Sequence, residues 1–224
     1  MATTRVDETY SDKVKSVCGL NVQSSFDLEV EKCGVGGRIW KSAIAFSDMV
    51  KRYEMSFTDK SIIEIGAGTG LCGLATCLTT PKKVIITDID PGCIETIKLN
   101  IELNKEQINK ESIEVQKLDF GNEDSLNEII QANPEGFDYI IGTDIVYGED
   151  LIPWVIKAMN ALSYKEGCQI IIVLNTIFPE VEQFLDEVRK AYTKYVNKYV
   201  EFREGVLEIN VKWADGSVTP APIN

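Results

Sequence analysis

The sequence predicts an α/β fold in which helices cover both faces of one mixed β-sheet. From Trp40 onward, short apolar runs alternate with amphipathic stretches, a pattern typical of parallel strands joined by crossover helices. A glycine-rich loop directly follows the first strand of this series. At the carboxyl end, two strand patterns follow each other with no helical pattern between them. We therefore expect five crossover-linked strands closed by an antiparallel hairpin.

The helical stretches repeat apolar residues every three or four positions, whereas the strands are short apolar runs. Through the third strand, the pattern predicts a helix over about 42–53, a strand over Ser61–Ile65, a helix from about Leu71 to Leu78, a strand over Lys83–Asp88, a helix marked by Ile94, Ile97 and Ile101, and a strand over Ile113–Leu118.

The second half continues the alternation and then departs from it. It predicts a strand over Phe137–Thr143, with Asp144-Ile-Val-Tyr147 at its carboxyl end, and then a helix over Leu151–Leu162 capped by Asp150. A buried strand over Gln169–Leu174 follows, and then a helix that begins at Pro179 and whose core face reaches Tyr195. The last two strands, Tyr199–Phe202 and Val206–Val211, form a hairpin around Arg203-Glu-Gly205.

The segment before Trp40 differs in character. Ser25–Val30 alternates weakly, and Gly34-Val-Gly-Gly37 suggests a flexible junction. We expect an N-terminal extension over residues 1–36, with a β-hairpin and a glycine hinge, and a single domain over 37–224. The first twenty residues show no strong pattern, so disorder and gating of a substrate both stay open.

The most informative stretch is Ser61-Ile-Ile-Glu-Ile-Gly-Ala-Gly-Thr-Gly-Leu71. Alternating glycines at a strand end let backbone amides approach a ligand, and the following helix directs its positive end to the same place. Gly68 to Gly73 also fits the dinucleotide pattern G-x-G-x-x-G, but the turn already begins at Gly66, so we expect Gly73 to be a packing residue inside the helix. A nicotinamide dehydrogenase stays an alternative on the loop alone.

Asp88 ends the second strand about twenty residues beyond the first glycine. A carboxylate there is placed to accept the two hydroxyls of a ribose. A cap on the turn Asp90-Pro-Gly92 is the other interpretation, and ribose occurs in both cofactor classes. Asp88 therefore indicates a nucleoside without choosing between them.

Charge and composition exclude several classes. The 23 basic and 35 acidic residues give a net charge of −12, which repels phosphate backbones and anionic lipid. Nucleic acid and membranes are thus not expected as partners. The chain has no histidine, which excludes histidine-based catalysis and the usual zinc sites, so no metal is expected.

The six cysteines contain no C-x-x-C pair, and several lie in apolar segments, which suggests a reducing compartment. No apolar run approaches the ~20 residues of a membrane span, and the amino terminus lacks a signal-peptide core. We expect a cytoplasmic monomer.

Four blocks now stand in order: Gly37-Arg-Ile-Trp-Lys-Ser-Ala43, Glu64 to Leu71, Leu118-Asp-Phe-Gly121 and Asp144-Ile-Val-Tyr147. Together they resemble the D-x-x-Y group of seven-stranded protein lysine methyltransferases, methyltransferase family 16, over about residues 37–174. The resemblance implies a Rossmann-like seven-stranded mixed sheet with helices on both faces, an antiparallel C-terminal hairpin and a small N-terminal β extension.

The resemblance also implies S-adenosyl-L-methionine as cofactor and assigns its contacts. Trp40 matches a tryptophan against the cofactor, Asp88 the ribose carboxylate and Asp119 the partner of the adenine amino group. Phe120 stands where many members carry tryptophan, so an aromatic face is kept. The implied cofactor-binding residues are Trp40, Glu64, Gly66, Ala67, Gly68, Gly70, Asp88, Asp119 and Phe120.

The implied reaction is methyl transfer to the ε-amine of a lysine on a non-histone protein. Asp144 would orient the amine through a charge-assisted hydrogen bond, and Tyr147 would add a hydroxyl acceptor and an aromatic wall. The fold does not fix the acceptor, so a small-molecule methyltransferase and a catalytically silent cofactor-binding module stay alternatives.

Overall fold

The computed structural model describes residues 14–24, 33–52, 54–176 and 178–191, together with the backbone of 194–200 and 206–212. The strands are β1 Val14–Val17, β2 Leu20–Gln23, β3 Ser61–Glu64, β4 Lys83–Asp88, β5 Ile113–Lys117, β6 Tyr139–Thr143, β7 Gln169–Asn175, β8 Lys194–Val200 and β9 Val206–Lys212. The α-helices are α1 Lys41–Lys51, α2 Leu71–Thr76, α3 Pro91–Leu103, α4 Glu123–Ala132, α5 Ile152–Leu162 and α6 Glu180–Ala191.

Seven strands form one mixed sheet in the order β5-β4-β3-β6-β7-β9-β8. Neighbours from β5 to β7 are parallel, whereas β9 runs antiparallel to both β7 and β8. The predicted fold class is thereby confirmed. The chain builds outward from β3 in both directions, and in such sheets ligands bind beyond the carboxyl ends of the strands at this switch point.

Two apolar clusters pack on opposite faces of the sheet. One joins the sheet to α4, α5 and α6 around Phe137, Met159 and Phe184. The other joins it to α1, α2 and α3 around Phe46 and Phe57. These five side chains are buried, so the helices are held by apolar burial on both faces, as the sequence pattern predicts.

The glycine inside α2 is a packing residue, as predicted. A Cβ on Gly73 would lie 2.6 Å from the Glu64 carboxylate and 2.7 Å from Cγ1 of Ile86. The helix can therefore approach β3 and β4 closely only with glycine there. It ends at Thr76, and Cys77–Thr79 continue as a 3₁₀ turn where the sequence suggests helix to Leu78.

Helix α4 was not among the predicted elements. Its start is marked by Asn122, whose side chain accepts hydrogen bonds from the N–H groups of Asp124 and Ser125. Leu126 and Ile129 form its buried stripe. Together with Ile130 they lie at helical spacing, so the sequence contains an apolar period that the prediction did not use.

Two predicted boundaries are wrong. Asp150 does not cap α5, because it lies within a 3₁₀ turn, Glu149–Leu151, that precedes the helix. Helix α6 stops at Ala191, and Tyr195 belongs to β8, which begins at Lys194 and not at Tyr199. Four of the six residues in 195–200 are valine or tyrosine, which favour a strand over the helical spacing that Tyr195 fits by coincidence. The predicted turn at Arg203–Gly205 lies outside the described residues.

The N-terminal hairpin is formed by β1 and β2, within the first twenty-four residues. Cys18 and Gly19 make the two-residue turn with φ of 52° and 89°, as in a type I′ hairpin. The expectation of no pattern in the first twenty residues is thus wrong from Val14 onward. The predicted strand region Ser25–Val30 lies outside the described residues, and the domain boundary at residue 37 stays a prediction.

Candidate functional site

A cavity of about 570 Å³ lies beyond the carboxyl ends of the parallel strands, within the usual volume of a ligand site. Its wall includes most residues predicted from the sequence: Trp40, Gly66, Ala67, Gly68, Asp88, Asp119, Phe120, Asp144 and Tyr147. The structure thus brings these nine positions together from segments that are far apart in the chain.

Glu64 and Gly70 lie behind the loop and not on the cavity wall. The Glu64 side chain is buried and accepts a 2.8 Å hydrogen bond from the N–H of Gly73 in α2. Burial raises the pKa of Glu64 to about 8, although the Gly73 amide opposes the rise. Gly70 precedes α2 with φ of 76°. Both residues hold the loop against the helix, and their contact with a cofactor stays a prediction.

The glycine loop is shaped for close approach of a ligand to backbone. Gly66 and Gly68 have φ of 62° and 56°, which side chains with a Cβ rarely adopt. A Cβ on Gly68 would also lie 2.5 Å from the carbonyl oxygen of Gly36. The turn Gly34–Gly37 is thus a 3₁₀ turn packed directly on the loop, at the place where the sequence suggests a hinge.

Asp88 is fixed by backbone amides at the end of β4. One carboxylate oxygen accepts from Gly68 N–H at 2.8 Å and the other from Asp90 N–H at 2.9 Å. Burial raises the pKa of Asp88, and these two amides oppose the rise. Each oxygen retains a further lone pair, so the carboxylate, which lines the cavity, can still accept hydroxyl groups.

Asp119 and Phe120 form the opposite end of the wall. The carboxylate of Asp119 accepts from Gly121 N–H at 2.9 Å, and the Asp119 N–H donates to Ser125 Oγ at 3.1 Å. A Cβ on Gly66 would lie 3.6 Å from Cζ of Phe120, so the ring borders the glycine loop. An acceptor and an aromatic ring adjoin here, as recognition of a purine requires.

Asp144 has a strained backbone and an incomplete hydrogen-bond set. Its φ is 50°, in the left-handed region. Oδ1 accepts from Ser42 Oγ and from Asn175 N–H, both at 2.8 Å. Oδ2 is buried without a hydrogen-bond partner. Burial raises the pKa of Asp144, against the donors on Oδ1. A buried, unpaired oxygen is costly and indicates a group that binds there.

Tyr147 stands at the rim, with 58% of its surface exposed. Partial burial raises the pKa of Tyr147, and the nearby charge of Asp88 adds to the rise. Its hydroxyl is therefore protonated at neutral pH and can both donate and accept.

The structure adds residues that the sequence pattern did not single out. Phe178 packs edge-on against Trp40, with ring centroids 6.2 Å apart, and Trp154 lines the same cavity. Ser42, inside the block that contains Trp40, reaches Asp144 from α1. Only the aromatic character of 154 and 178 could have pointed to them, since neither belongs to a recognised block.

Cys33, Asp90 and Cys93 offer three potential metal ligands within 4.8 Å of one another. Asp90 is already the N-cap of α3, accepting from the amides of Gly92 and Cys93. Burial raises the pKa of the Cys93 thiol, which therefore stays protonated.

All six cysteines are free thiols. Within the described part of the chain, no helix has both the length and the apolar character to cross a membrane.

The lysine methyltransferase family model matches residues 23–191, about three quarters of the sequence. The chain belongs to this family. The predicted family resemblance, and with it the enzyme class of an S-adenosylmethionine-dependent lysine methyltransferase, is confirmed. The matched range contains all the cavity-lining positions predicted from the sequence.

Curated relatives agree with the family. The chain is 29% identical over 165 residues to the protein N-lysine methyltransferase METTL21A of Danio rerio, covering 73% of this chain and 71% of that protein. It is 28% identical over 163 residues to EEF1A lysine methyltransferase 3 of Mus musculus, covering 71% and 65% respectively.

Solved structures share the fold at low identity. SMU.776, assigned as a methyltransferase and crystallised with S-adenosylhomocysteine, superposes with a TM-score of 0.62 at 13% identity, covering 86% of this chain and 53% of that one. A ribosomal protein L11 methylase of Lactobacillus delbrueckii gives 0.52 at 18% identity, covering 77% and 76%. At these identities the likeness supports the fold alone.

Proposed function

We propose that this chain binds S-adenosylmethionine in the described cavity and transfers its methyl group to the ε-amine of a lysine on another, non-histone protein. The observation that carries the proposal is Asp144, whose Oδ2 is buried without a partner at the carboxyl end of β6. Family membership and the activities named for its relatives support the same acceptor.

The residues present fit the proposed cofactor. Gly66 and Gly68 line the cavity without a Cβ, so a ligand can approach the backbone of the loop there. Asp88 is oriented to accept the ribose hydroxyls, and Asp119 with Phe120 fits the adenine. Trp40, which is anchored by Nε1–H to Val35 O at 3.2 Å, borders the remaining part of the cavity. When bound, S-adenosylmethionine supplies a methyl group on a positively charged sulfonium.

The amine must lose a proton before it attacks. Free lysine has a pKa of about 10.4, so deprotonation costs roughly 4 kcal/mol near neutral pH. A cavity walled by Trp40, Phe178 and Trp154 disfavours the charged ammonium by limiting its hydration. Tyr147 contributes a hydroxyl at the rim. No histidine is needed for this step.

Asp144 would then act by position. A carboxylate held by Ser42 and Asn175 presents Oδ2 as an acceptor for an amine N–H, directly or through one water that carries the proton away. Fixing the nitrogen in line with the methyl removes much of the entropic barrier, which in favourable cases amounts to about 7 to 11 kcal/mol.

The test combines purified protein, S-adenosylmethionine labelled in its methyl group, and a cell lysate as the source of acceptors. The proposal expects labelled protein bands, and Asp144→Ala should lower their labelling at least about a hundredfold. Asp150→Ala is the matched control, since this carboxylate is exposed on a neighbouring turn. Label found only in small molecules, or equal labelling by Asp144→Ala, would rule the proposal out.

The remaining expectations are part of the proposal. The net charge of −12 disfavours nucleic acid as substrate and favours a basic protein segment around the lysine. Free buried thiols accord with a reducing, cytoplasmic setting. We also expect a monomer. Small-molecule methylation is the second candidate, because the fold alone does not determine the acceptor.

A further inference from the structure

The Asp144 carboxylate receives hydrogen bonds on one oxygen only. Both donors, Ser42 Oγ and Asn175 N–H, reach Oδ1 at 2.8 Å, while Oδ2 has none. The donors come from different elements, α1 and the end of β7. These two donors fix the plane of the Asp144 carboxylate. The strained backbone of Asp144 alone would not fix this plane.

Ser42 can serve Asp144 because it lies in the first turn of α1. A serine deeper in a helix tends to donate to the carbonyl four residues before it, and Ser47 of the same helix does this, with Oγ 2.7 Å from Ala43 O. The position four before Ser42 is Arg38, outside the helix. The Ser42 hydroxyl is therefore free of that bond, and it donates across to β6.

The same placement brings the positive end of α1 to the carboxylate. The first amides of a helix lack intrahelical partners and favour a negative charge. Burial raises the pKa of Asp144, and the Asn175 amide, the Ser42 hydroxyl and the Ser42 backbone N–H oppose the rise. Ser42 thus supports the ionised state of Asp144 as well as its orientation.

We infer that Ser42 is a positioning residue that holds Oδ1 of Asp144 and leaves Oδ2 as the carboxylate oxygen available to the substrate amine. The inference rests on the proposed lysine methylation. Its distinct claim is that the Ser42 hydroxyl on α1, and not only the backbone at the end of β6, orients the Asp144 carboxylate. Loss of this hydroxyl should weaken amine capture without changing the cofactor cavity, since the cavity wall contains Asp144 but not Ser42.

Other titratable groups lie near this corner. Cys72 of α2 interacts with both Asp144 and Glu64, and burial raises its pKa well above the usual range, so it stays neutral. Glu64 lies beyond Cys72, and burial raises its pKa to about 8. Titration of Glu64 should affect every variant alike, so a difference between variants reports on Asp144.

The experiment compares wild type, Ser42→Ala and Ser47→Ala. Both serines are fully buried on α1, and both substitutions remove one hydroxyl, but only Ser42 touches Asp144. The carboxyl carbon of Asp144 is followed by NMR against pH, with its resonance identified from Asp144→Asn. The affinity for S-adenosylhomocysteine and the initial rate of methyl transfer to a labelled lysate band are measured on the same samples.

In Ser42→Ala we expect the pKa of Asp144 to rise by about one unit, the size of one lost hydrogen bond to a charged acceptor. The methyl-transfer rate should fall about tenfold, and the pH below which this rate declines should rise by the same one unit. The affinity for S-adenosylhomocysteine should stay within about twofold of the wild-type value. Ser47→Ala should match wild type in all three.

The inference is overturned if Ser42→Ala leaves the Asp144 titration and the rate unchanged, or if Ser42→Ala and Ser47→Ala lose activity equally. A wild type that binds S-adenosylhomocysteine but methylates no protein overturns the proposed function. In that case, the NMR titration decides separately whether Ser42 holds the carboxyl. If Ser42→Ala lowers the affinity for S-adenosylhomocysteine as much as it lowers the methyl-transfer rate, the result also contradicts a role limited to binding of the substrate amine.

Discussion

The carbonyl oxygen of Gly36 occupies the space that a Cβ on Gly68 would need, at 2.5 Å from its position. The 3₁₀ turn Gly34–Gly37 and the glycine loop are therefore fitted to each other through two glycines. Because Gly68 also donates its N–H to Asp88 at 2.8 Å, a shift of this backbone would disturb both the loop and the Asp88 carboxylate.

Gly68→Ala should lower the affinity for S-adenosylhomocysteine about tenfold or more and reduce stability by roughly 1 to 2 kcal/mol, since φ of 56° disfavours a side chain. Calorimetry and thermal unfolding measure the two effects. Gly148→Ala is the control, because nothing lies within 4 Å of its added Cβ. Equal affinity in both variants would contradict the packing of the turn on the loop.

Glu64 should make stability depend on pH. Its folded pKa of about 8 lies above the ordinary value of 4.5, so the folded state holds the proton more tightly than the unfolded chain. Stability from this group is complete below about pH 4.5 and decreases as pH rises toward about 8. Glu64→Gln should abolish this decrease and be more stable than wild type by roughly 1 to 3 kcal/mol at about pH 9.

Urea unfolding of both proteins across that pH range measures the effect. Glu135→Gln serves as the control, because this glutamate is exposed and paired with Lys82 at the surface. A wild-type stability that rises between about pH 5 and 8 relative to Glu64→Gln would show that Glu64 is ionised and satisfied in the folded state.

Asn100 links the N-terminal hairpin to the glycine loop. Its side chain exchanges hydrogen bonds with the Gln23 backbone at 2.7 and 3.2 Å and donates to Thr69 O at 2.9 Å. Asn100→Ala leaves these buried groups unpaired and should cost about 2 to 4 kcal/mol in chemical unfolding. Asn127→Ala, on the exposed face of α4, should cost less than about 0.5 kcal/mol. Equal costs would contradict the link.

Tryptophan fluorescence should report cofactor binding. Trp40 and Trp154 both line the cavity, whereas Trp213 lies outside the described residues. Titration with S-adenosylhomocysteine should change the emission, and Trp40→Phe and Trp154→Phe should each remove part of that change. The change should be smallest when both Trp40 and Trp154 are replaced. A double variant that responds as strongly as wild type would contradict binding beside these two rings.

Much of the fold follows from the sequence because the central parallel strands are buried on both faces and are therefore mainly apolar. Lys83–Asp88 is an example, and the glycine loop marks the strand that precedes it. Helix α4 was missed although Leu126, Ile129 and Ile130 lie at helical spacing. The start of β8 was missed because Tyr195 also fits a helical period, so the local pattern there is ambiguous.

The glycine loop and Asp88 were predictable from residue type and spacing, whereas Asp144 was assigned from the family resemblance. The structure gathers these residues on one cavity. Ser42 and Phe178 were not predictable, because their part depends on contacts across the fold with Asp144 and Trp40. The burial of Glu64 behind the glycine loop, away from the cavity wall, likewise depends on how closely α2 approaches β3.

The central claim is that Asp144 directs a lysine amine to the methyl group. The most direct measurement is mass spectrometry of proteins methylated by wild type and by Asp144→Asn, an isosteric change, with cofactor affinity measured alongside. We expect methyl groups on lysine with wild type, and at least a hundredfold less with Asp144→Asn at unchanged S-adenosylhomocysteine affinity. Methylation of another residue type, or an undiminished rate in Asp144→Asn, would contradict the claim.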